Sequence, residues 1–289
     1  MQIFKKNKKK SVDANDNRTQ CPRYSDGIEN YMVETYREST VRVGKVHAIG
    51  KRENQQDSFA YSDVANQEIV EERGMLFLVA DGMGGMSNGA EVSATVAIES
   101  LRYFDMCGLT QDIPGYLEDM AQYVNGQVNE LLGRDGIGRS GSTLVAMHIK
   151  DHMVHWISIG DSCIYLYQNN ELTRLNILHN YGTQLNERLL NGEMTLEEVM
   201  AEPNKHALTS YIGAGSIALI DQNFEPLVLN PGDRVVLMSD GIETVSEEEL
   251  CGILRYDVEE AALKLRYLIE QKNKKNQDNF TAIIIEDNY

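Results

Sequence analysis

Apolar and polar positions along this chain change texture three times. Residues 1 to about 38 are polar, lysine-rich at first and then rich in Asn and Asp, with neither a helical nor a strand period. A solvated leader is the plain expectation for such a segment. From about Val41 the chain turns to short β-rich runs, which predict strands over Val41–Ile49, Ser58–Tyr61, Ile69–Ala80, Thr143–Ile149, His152–Ile159, Ile164–Gln168, Ile217–Phe224, Val235–Met238 and Thr281–Ile285. Several are separated only by tight polar turns such as Lys150-Asp151, which suits antiparallel hairpins and not βαβ crossovers. Two helical stripes interrupt them. Ala90, Ala94, Ala97 and Leu101 recur at the spacing of one small-residue face, and Val258, Ala261, Ala262, Leu265, Leu268 and Ile269 share a second face behind Asp257 as a possible cap. Runs of strands with helices outside them imply an α+β layered domain. Residues 39–289 contain no Pro/Gly/Ser-rich linker and no repeat, so one domain is expected there.

Charge narrows the partners. The chain carries 27 basic and 44 acidic side chains, a net charge of −17, which argues against nucleic acid or an anionic membrane as a principal partner. Five lysines in the first twelve residues run against this trend, so the acid is concentrated in the body. No apolar run approaches the roughly 20 residues of a membrane helix, and the leader lacks the apolar stretch of a secretory signal. Cys21, Cys107, Cys163 and Cys251 are far apart, without a CxxC pair or a ladder of short loops. A zinc site and a disulfide framework are both disfavoured, and a reduced cytoplasmic setting is expected.

Candidate chemistry lies in aspartates. Asp81, Asp161 and Asp240 each follow an apolar strand beside a glycine, and Asp278 precedes Asn279 and the last strand. Carboxylates at strand ends can converge on a hard cation such as Mg²⁺ or Mn²⁺, although Asp-Gly is also good turn chemistry by itself. Several together on strands that read as buried favour the cation, because an unpaired buried carboxylate is costly. Two other signals carry less. Gly136-Ile137-Gly138-Arg139-Ser140-Gly141 fits GxGxxG, but a β-rich run follows it where a dinucleotide site needs a helix. His148, His152 and His155 span a predicted hairpin and suit pairing or surface roles better than a ligand set, and Trp156 suits a core or sheet position.

Seven motifs in order resemble the metal-dependent, protein phosphatase 2C-like (PPM-type) family, in its bacterial branch. They are Arg52 with Asp57 five residues on, Asp81-Gly82-Met83-Gly84-Gly85, Gly141-Ser142-Thr143, Gly160-Asp161-Ser162, Leu208-Thr209 with Ile212-Gly213, Pro231-Gly232-Asp233 with Ser239-Asp240-Gly241, and Asp278-Asn279 with Thr281. The resemblance spans roughly residues 42 to 286. It implies two stacked antiparallel β-sheets flanked by helices on both sides, an αββα sandwich, and a serine/threonine phosphatase that hydrolyses phosphoproteins, opposing a Ser/Thr kinase, by attack of a metal-activated water. Two divalent cations, Mn²⁺ or Mg²⁺, are implied, with a third, labile one. By resemblance Asp81 bridges the two ions, the Gly82 carbonyl joins the second, Asp240 and Asp278 hold the first, Asp161 with Asp240 takes the third, Asp57 acts through water, and Arg52 grips the phosphate, for which a planar fork is well suited. Residues 181–206 resemble the family's variable flap, with a capping-box start at Thr195 and Glu198.

The chain also departs from the pattern. Gln56 stands where Glu commonly precedes the first-motif Asp; it can hydrogen-bond a metal-held water but adds no charge, so weaker binding of the second ion is expected. Met83 replaces the His of eukaryotic members, Cys163 follows Gly-Asp-Ser where Arg is usual, and Leu178-His179 replaces Asp-His. The competing expectation is a catalytically weak regulatory or binding module on the same fold.

Overall fold

The strand-like runs assemble into two antiparallel sheets, in a computed structural model that describes residues 41–84 and 88–287. One sheet has five strands in the order β1 (Val41–Ala48), β12 (Phe280–Asp287), β11 (Arg234–Met238), β7 (Cys163–Gln168) and β8 (Glu171–Arg174). The other follows β10 (Leu227–Val228), β6 (Met153–Ile159), β5 (Leu144–Lys150), β3 (Met75–Met83) and β2 (Asp57–Tyr61), with β4 (Gly141–Ser142) paired to β3 and β9 (Asp221–Gln222) paired to β6. The lysine-rich leader and Cys21 lie outside the described residues.

Alternation along each strand sends residues to two different cores. Phe77 and Val79 of β3 meet Val145, Met147, Val235, Leu237, Ile283 and Ile285 between the sheets. Their neighbours Leu76, Leu78 and Ala80 face α2 (Asn88–Met106) and α3 (Ile113–Gly136). On the opposite outer face Val236, Met238, Ala282 and Ile284 pack against α6 (Glu247–Ile253) and α7 (Val258–Lys272). Both sides of the central strands are therefore covered, and that is why they read as unbroken apolar runs and not as alternating ones. The layering is the expected αββα sandwich. Trp156 is in the core between the sheets.

Local chemistry sets the element ends, and it corrects several expectations. The run predicted as one strand over Ile69–Ala80 is broken in two: α1 (Gln67–Arg73), capped by the Asn66 side chain on the Ile69 N–H, ends at Gly74 with φ +72°, and only then does β3 begin. Glu71 and Glu72 are exposed on that turn of helix, which a buried strand could not have accommodated. The strand predicted over Ile217–Phe224 shrinks to the two residues of β9. Asp257 does stand at the N-cap of α7 but makes no capping bond, because its carboxylate accepts from Arg42 instead at 2.8 Å. The β5–β6 hairpin turns at Asp151-His152, one residue later than predicted, with φ of +51° and +63°, the primed geometry that matches strand twist. The helix α3 is absent from the expectations above, although Tyr116, Leu117, Met120, Ala121, Val124 and Val128 form its buried stripe. The GxGxxG segment joins the end of α3 to β4, without the strand-then-helix context of a dinucleotide site.

The hairpin histidines pair across strands, His148 opposite His155, and His148 Nε2 lies 2.7 Å from the carbonyl oxygen of Arg73. Burial lowers His148 to about 4. Its neutral form is the one the fold accepts, so this contribution is complete above about pH 6.5 and is lost as the pH falls towards 4. Unfolding by urea at pH 7 and pH 5 should differ by about 2 kcal/mol less in His148→Gln than in wild type; equal pH dependence in the two proteins would contradict the assignment.

Candidate active site

Strand direction brings five aspartates to one end of the sandwich. Asp57 opens β2 directly opposite Asp81 near the end of β3. β6 runs in the same direction as β3 because β5 is antiparallel to both, so Gly160-Asp161-Ser162 leaves the seven-stranded sheet at that same end and crosses to β7. Gly160, at φ +104°, makes that corner. β7 begins opposite the last residue of β11, Met238 with Cys163, and Met238 also faces Ala282 of β12. Asp240, just past β11, and Asp278, just before β12, therefore join the others.

Backbone contacts fix each carboxylate. The Asp81 N–H donates to Thr143 Oγ1 at 2.9 Å and its carbonyl accepts from the Thr143 N–H at 2.9 Å. Gly82 is required beside it, since a Cβ there would stand 2.1 Å from the carbonyl oxygen of Gly89 at the start of α2. Asp57 ties the two sheets together: its Oδ2 accepts from Ser239 Oγ and from Thr281 Oγ1, both at 2.7 Å. Its Oδ1 is buried with no partner. The loop carrying Arg52 is built around Asn279, whose amide donates to the carbonyls of Ile49 and Asn54 and whose Oδ1 accepts from the Gln56 N–H at 2.8 Å. Arg52 itself donates to Asp278 Oδ2 at 2.5 Å, and Gln56 Nε2 donates to the Gly84 carbonyl at 3.2 Å.

These carboxylates repel one another. Burial pushes Asp57 up to about 7 against the two hydroxyl bonds, with Asp240 and Asp278 adding to the rise. Burial and the charges of Asp57, Asp240, Asp161 and Asp278 hold Asp81 well above the usual carboxylate range. Asp161 rises to about 7 through burial and then Asp240 and Glu243, opposed in part by a hydrogen bond with Asn180. Asp240 is raised by burial and Asp278, and is eased by a hydrogen bond with Asp81 and by the Arg52 and His206 charges. A cluster of this kind, at the end of a rigid scaffold, is a functional-site signature.

Arg52, Gln56, Asp57, Asp81, Gly82, Asp161, Asp240 and Asp278 come to this end, with Arg52 ion-paired to Asp278, whereas Pro231-Gly232-Asp233 precedes β11 at its opposite end. Cys163 is buried in the outer core, its thiol pushed up to about 12 by burial, which suits packing and not nucleophilic attack. Glu243, Asn180, Ser239 and Thr281 complete the surroundings. Ser239 and Thr281 belong to motifs quoted from the sequence, and Glu243 also has a legible signal: it lies three residues beyond Asp240, one turn of the 3₁₀ segment Asp240–Thr244.

The donor set suits a hard divalent cation: carboxylate oxygens that disfavour one another, a buried carboxylate oxygen without a partner, and one carboxylate already bound to a cationic side chain. As the side chains stand, no group of three or more His, Cys, Asp or Glu among the described residues is drawn in closely enough to hold an ion.

Fold and site together define an αββα layered scaffold with an acidic centre at one end. A family model for protein phosphatase 2C matches residues 43–278, and the chain belongs to that family. Among curated proteins it is similar to the protein phosphatase PhpP of Streptococcus pneumoniae, 28% identical over 82% of this chain and 94% of the relative. It is also similar to the serine/threonine phosphatase stp of Listeria welshimeri, 26% identical over 82% of this chain and 92% of the relative. Among solved structures, the serine/threonine phosphatase of S. agalactiae shares the fold with a TM-score of 0.73 at 23% identity, over 85% of this chain and 99% of that one. The catalytic domain of the serine/threonine protein phosphatase PstP, solved with two manganese ions, aligns with a TM-score of 0.66 at 25% identity, over 85% of this chain and 97% of that one.

Proposed function

We propose that this chain is a divalent-cation-dependent protein serine/threonine phosphatase acting on phosphoproteins made by a Ser/Thr kinase. The observation that carries the proposal is the convergence of Asp81, Asp240 and Asp278, from both sheets, with Arg52 beside them. The relatives' activities and the two manganese ions of PstP support it. Asp81, the Gly82 carbonyl, Asp240 and Asp278 would hold two ions, Mn²⁺ or Mg²⁺, and Asp161 with Asp240 a third. Bound cations supply charge neutralisation and an activated water for in-line attack at phosphorus.

The chain's own residues do the rest. Arg52 exchanges its bond with Asp278 for the substrate phosphate, to which its fork can donate twice. Asp57 is held between Ser239 and Thr281, leaving its free Oδ1 to orient water. Gln56 adds a neutral amide, fixed by Gly84. The flap of residues 181–206, built on α4 (Tyr181–Leu190) and α5 (Leu196–Ala201), selects among substrates. Three described cysteines are unpaired, and no helix among the described residues is long and apolar enough to cross a membrane; we place the activity in the cytoplasm.

Purified protein should hydrolyse a phosphothreonine peptide when Mn²⁺ or Mg²⁺ is added and lose that turnover in excess EDTA. Undiminished hydrolysis in EDTA contradicts the proposal, and absence of hydrolysis with either metal favours the inert module.

A further inference from the structure

The hydroxyl bonds that hold Asp57 continue outward to a histidine. His47 of β1 stands opposite Thr281 of β12 in the strand register, and its Nδ1 lies 3.0 Å from Thr281 Oγ1. Val41 and Val43 of the same strand pack between the sheets, so the period of two turns His47 inwards as well. There its ring meets Phe59 edge-on, with centroids 5.2 Å apart and planes at 61°. Phe59 is two residues beyond Asp57 on β2, and therefore on the same side of that strand. The imidazole is thus held from both sheets.

Counting protons fixes the direction of each bond. Ser239 Oγ accepts from the Thr281 N–H at 3.0 Å, and its own proton goes to Asp57 Oδ2. Thr281 Oγ1 also has one proton, for which two acceptors compete: Asp57 Oδ2 at 2.7 Å and His47 Nδ1 at 3.0 Å. A bond to a carboxylate is the stronger of the two, so Thr281 donates to Asp57 and accepts from His47. Burial and the Lys45 charge lower His47 to about 4, so at neutral pH its imidazole carries a single ring proton. That proton is on Nδ1.

We propose that His47 is a positioning residue: its Nδ1–H, by donating to Thr281 Oγ1, commits the Thr281 proton to Asp57 Oδ2 and leaves Asp57 Oδ1 to orient the metal-held water. The inference rests on the phosphatase proposal for that water, and on the bonds themselves for the chain from His47 to Asp57. Each donor in such a chain polarises the next. Without the imidazole N–H, Thr281 Oγ1 has no donor on its outer side, and its bond to Asp57 weakens.

The test begins with the wild-type full chain loaded with Mg²⁺, whose His47 ring nitrogen and proton resonances in NMR report the tautomer directly. Nδ1 should carry the proton; a ring protonated on Nε2 means that Thr281 donates to His47, and it overturns the proposal. Kinetics on a phosphothreonine peptide in saturating Mn²⁺ follow. His47→Phe, which keeps an aromatic ring against Phe59 and loses the donor, should lower kcat about tenfold with KM little changed, the scale of a contact outside the metal ligands. His47→Asn places an amide N–H at the reach of Nδ1 and should recover most of that loss. Adding His47→Phe to Thr281→Val should cost nothing further, because the two side chains act through one bond. Equal losses in His47→Phe and His47→Asn, or losses that multiply in the double variant, mark a merely structural role and overturn the proposal. Unchanged kcat in His47→Phe beside normal wild-type turnover overturns the role of His47 and leaves the phosphatase proposal intact. If wild type turns nothing over, Mn²⁺ binding about tenfold weaker in His47→Phe and recovered in His47→Asn supports the positioning of Asp57 by His47 and overturns the phosphatase proposal.

Discussion

Asp81→Asn should remove phosphopeptide turnover while making the metal-free protein more stable. Removing a residue that merely orients a metal ligand typically costs 10- to 100-fold, so losing the proposed bridging ligand should cost more than about 100-fold. The stability gain has a separate origin. Asp81 carries a carboxylate that burial and four neighbouring aspartates hold well above its ordinary range, so at neutral pH its charge opposes folding. Asparagine is nearly isosteric, carries no charge and can still donate to Asp240. For a chain of this size, about 1 kcal/mol corresponds to about 3 °C, and a rise in Tm of that order is expected in EDTA. Added Mn²⁺ should stabilise wild type and leave the variant nearly unmoved. A structural role for Asp81 would give the reverse pattern, a lowered Tm in EDTA.

Gly241→Ala should be nearly as damaging to activity without touching any proposed ligand. A Cβ at Gly241 would stand 1.9 Å from the carbonyl oxygen of Asn279, and the Gly241 carbonyl accepts from Gln277 Nε2 at 2.9 Å. This contact clamps the turn bearing Asp240 against the loop bearing Asp278. Backbone cannot yield as a flexible side chain can, so the two carboxylates must separate. A destabilisation of about 3 kcal/mol or more is expected, together with a loss of turnover of about 100-fold, the scale set by a 1 Å misplacement. Gly252→Ala is the control. That glycine is inside α6 with nothing within 4 Å of a Cβ, and alanine there should stabilise by about 0.5–1 kcal/mol. If both alanine variants behave alike, the close approach at Gly241 is not what positions the site.

Gly241 also shows how far the sequence could be read. The layered architecture was legible because central strands covered on both faces leave apolar runs, as in Met75–Ala80 and Val235–Met238. The aspartates were legible because each follows or precedes such a run. Their convergence was not: it depends on the direction of β6 relative to β3 and on the Gly160 crossover, which are long-range pairings. The α1–β3 boundary is obscured because the apolar residues Ile69 and Val70 lead towards the apolar Met75–Ala80, although Glu71-Glu72-Arg73 and Gly74, at positive φ, divide them. Helix α3 has a regular stripe behind its cap Asp112, but Gly115, Gly126 and Gly133 interrupt it, and glycine is a poor helix former. The bond between Arg52 and Asp278 has no counterpart in spacing: the two residues are separated by 226 positions and meet only because Asn279 holds the Arg52 loop.

The central claim is that the aspartates at this end of the sandwich form a divalent-cation site, and calorimetric titration of the metal-free protein with Mn²⁺ tests it most directly. Wild type should bind at least two ions at sub-millimolar concentration, and Asp81→Asn should lose binding at both of the sites that Asp81 is proposed to share. Absence of Mn²⁺ binding by wild type below millimolar concentration, or binding that survives unchanged in Asp81→Asn, would contradict the account.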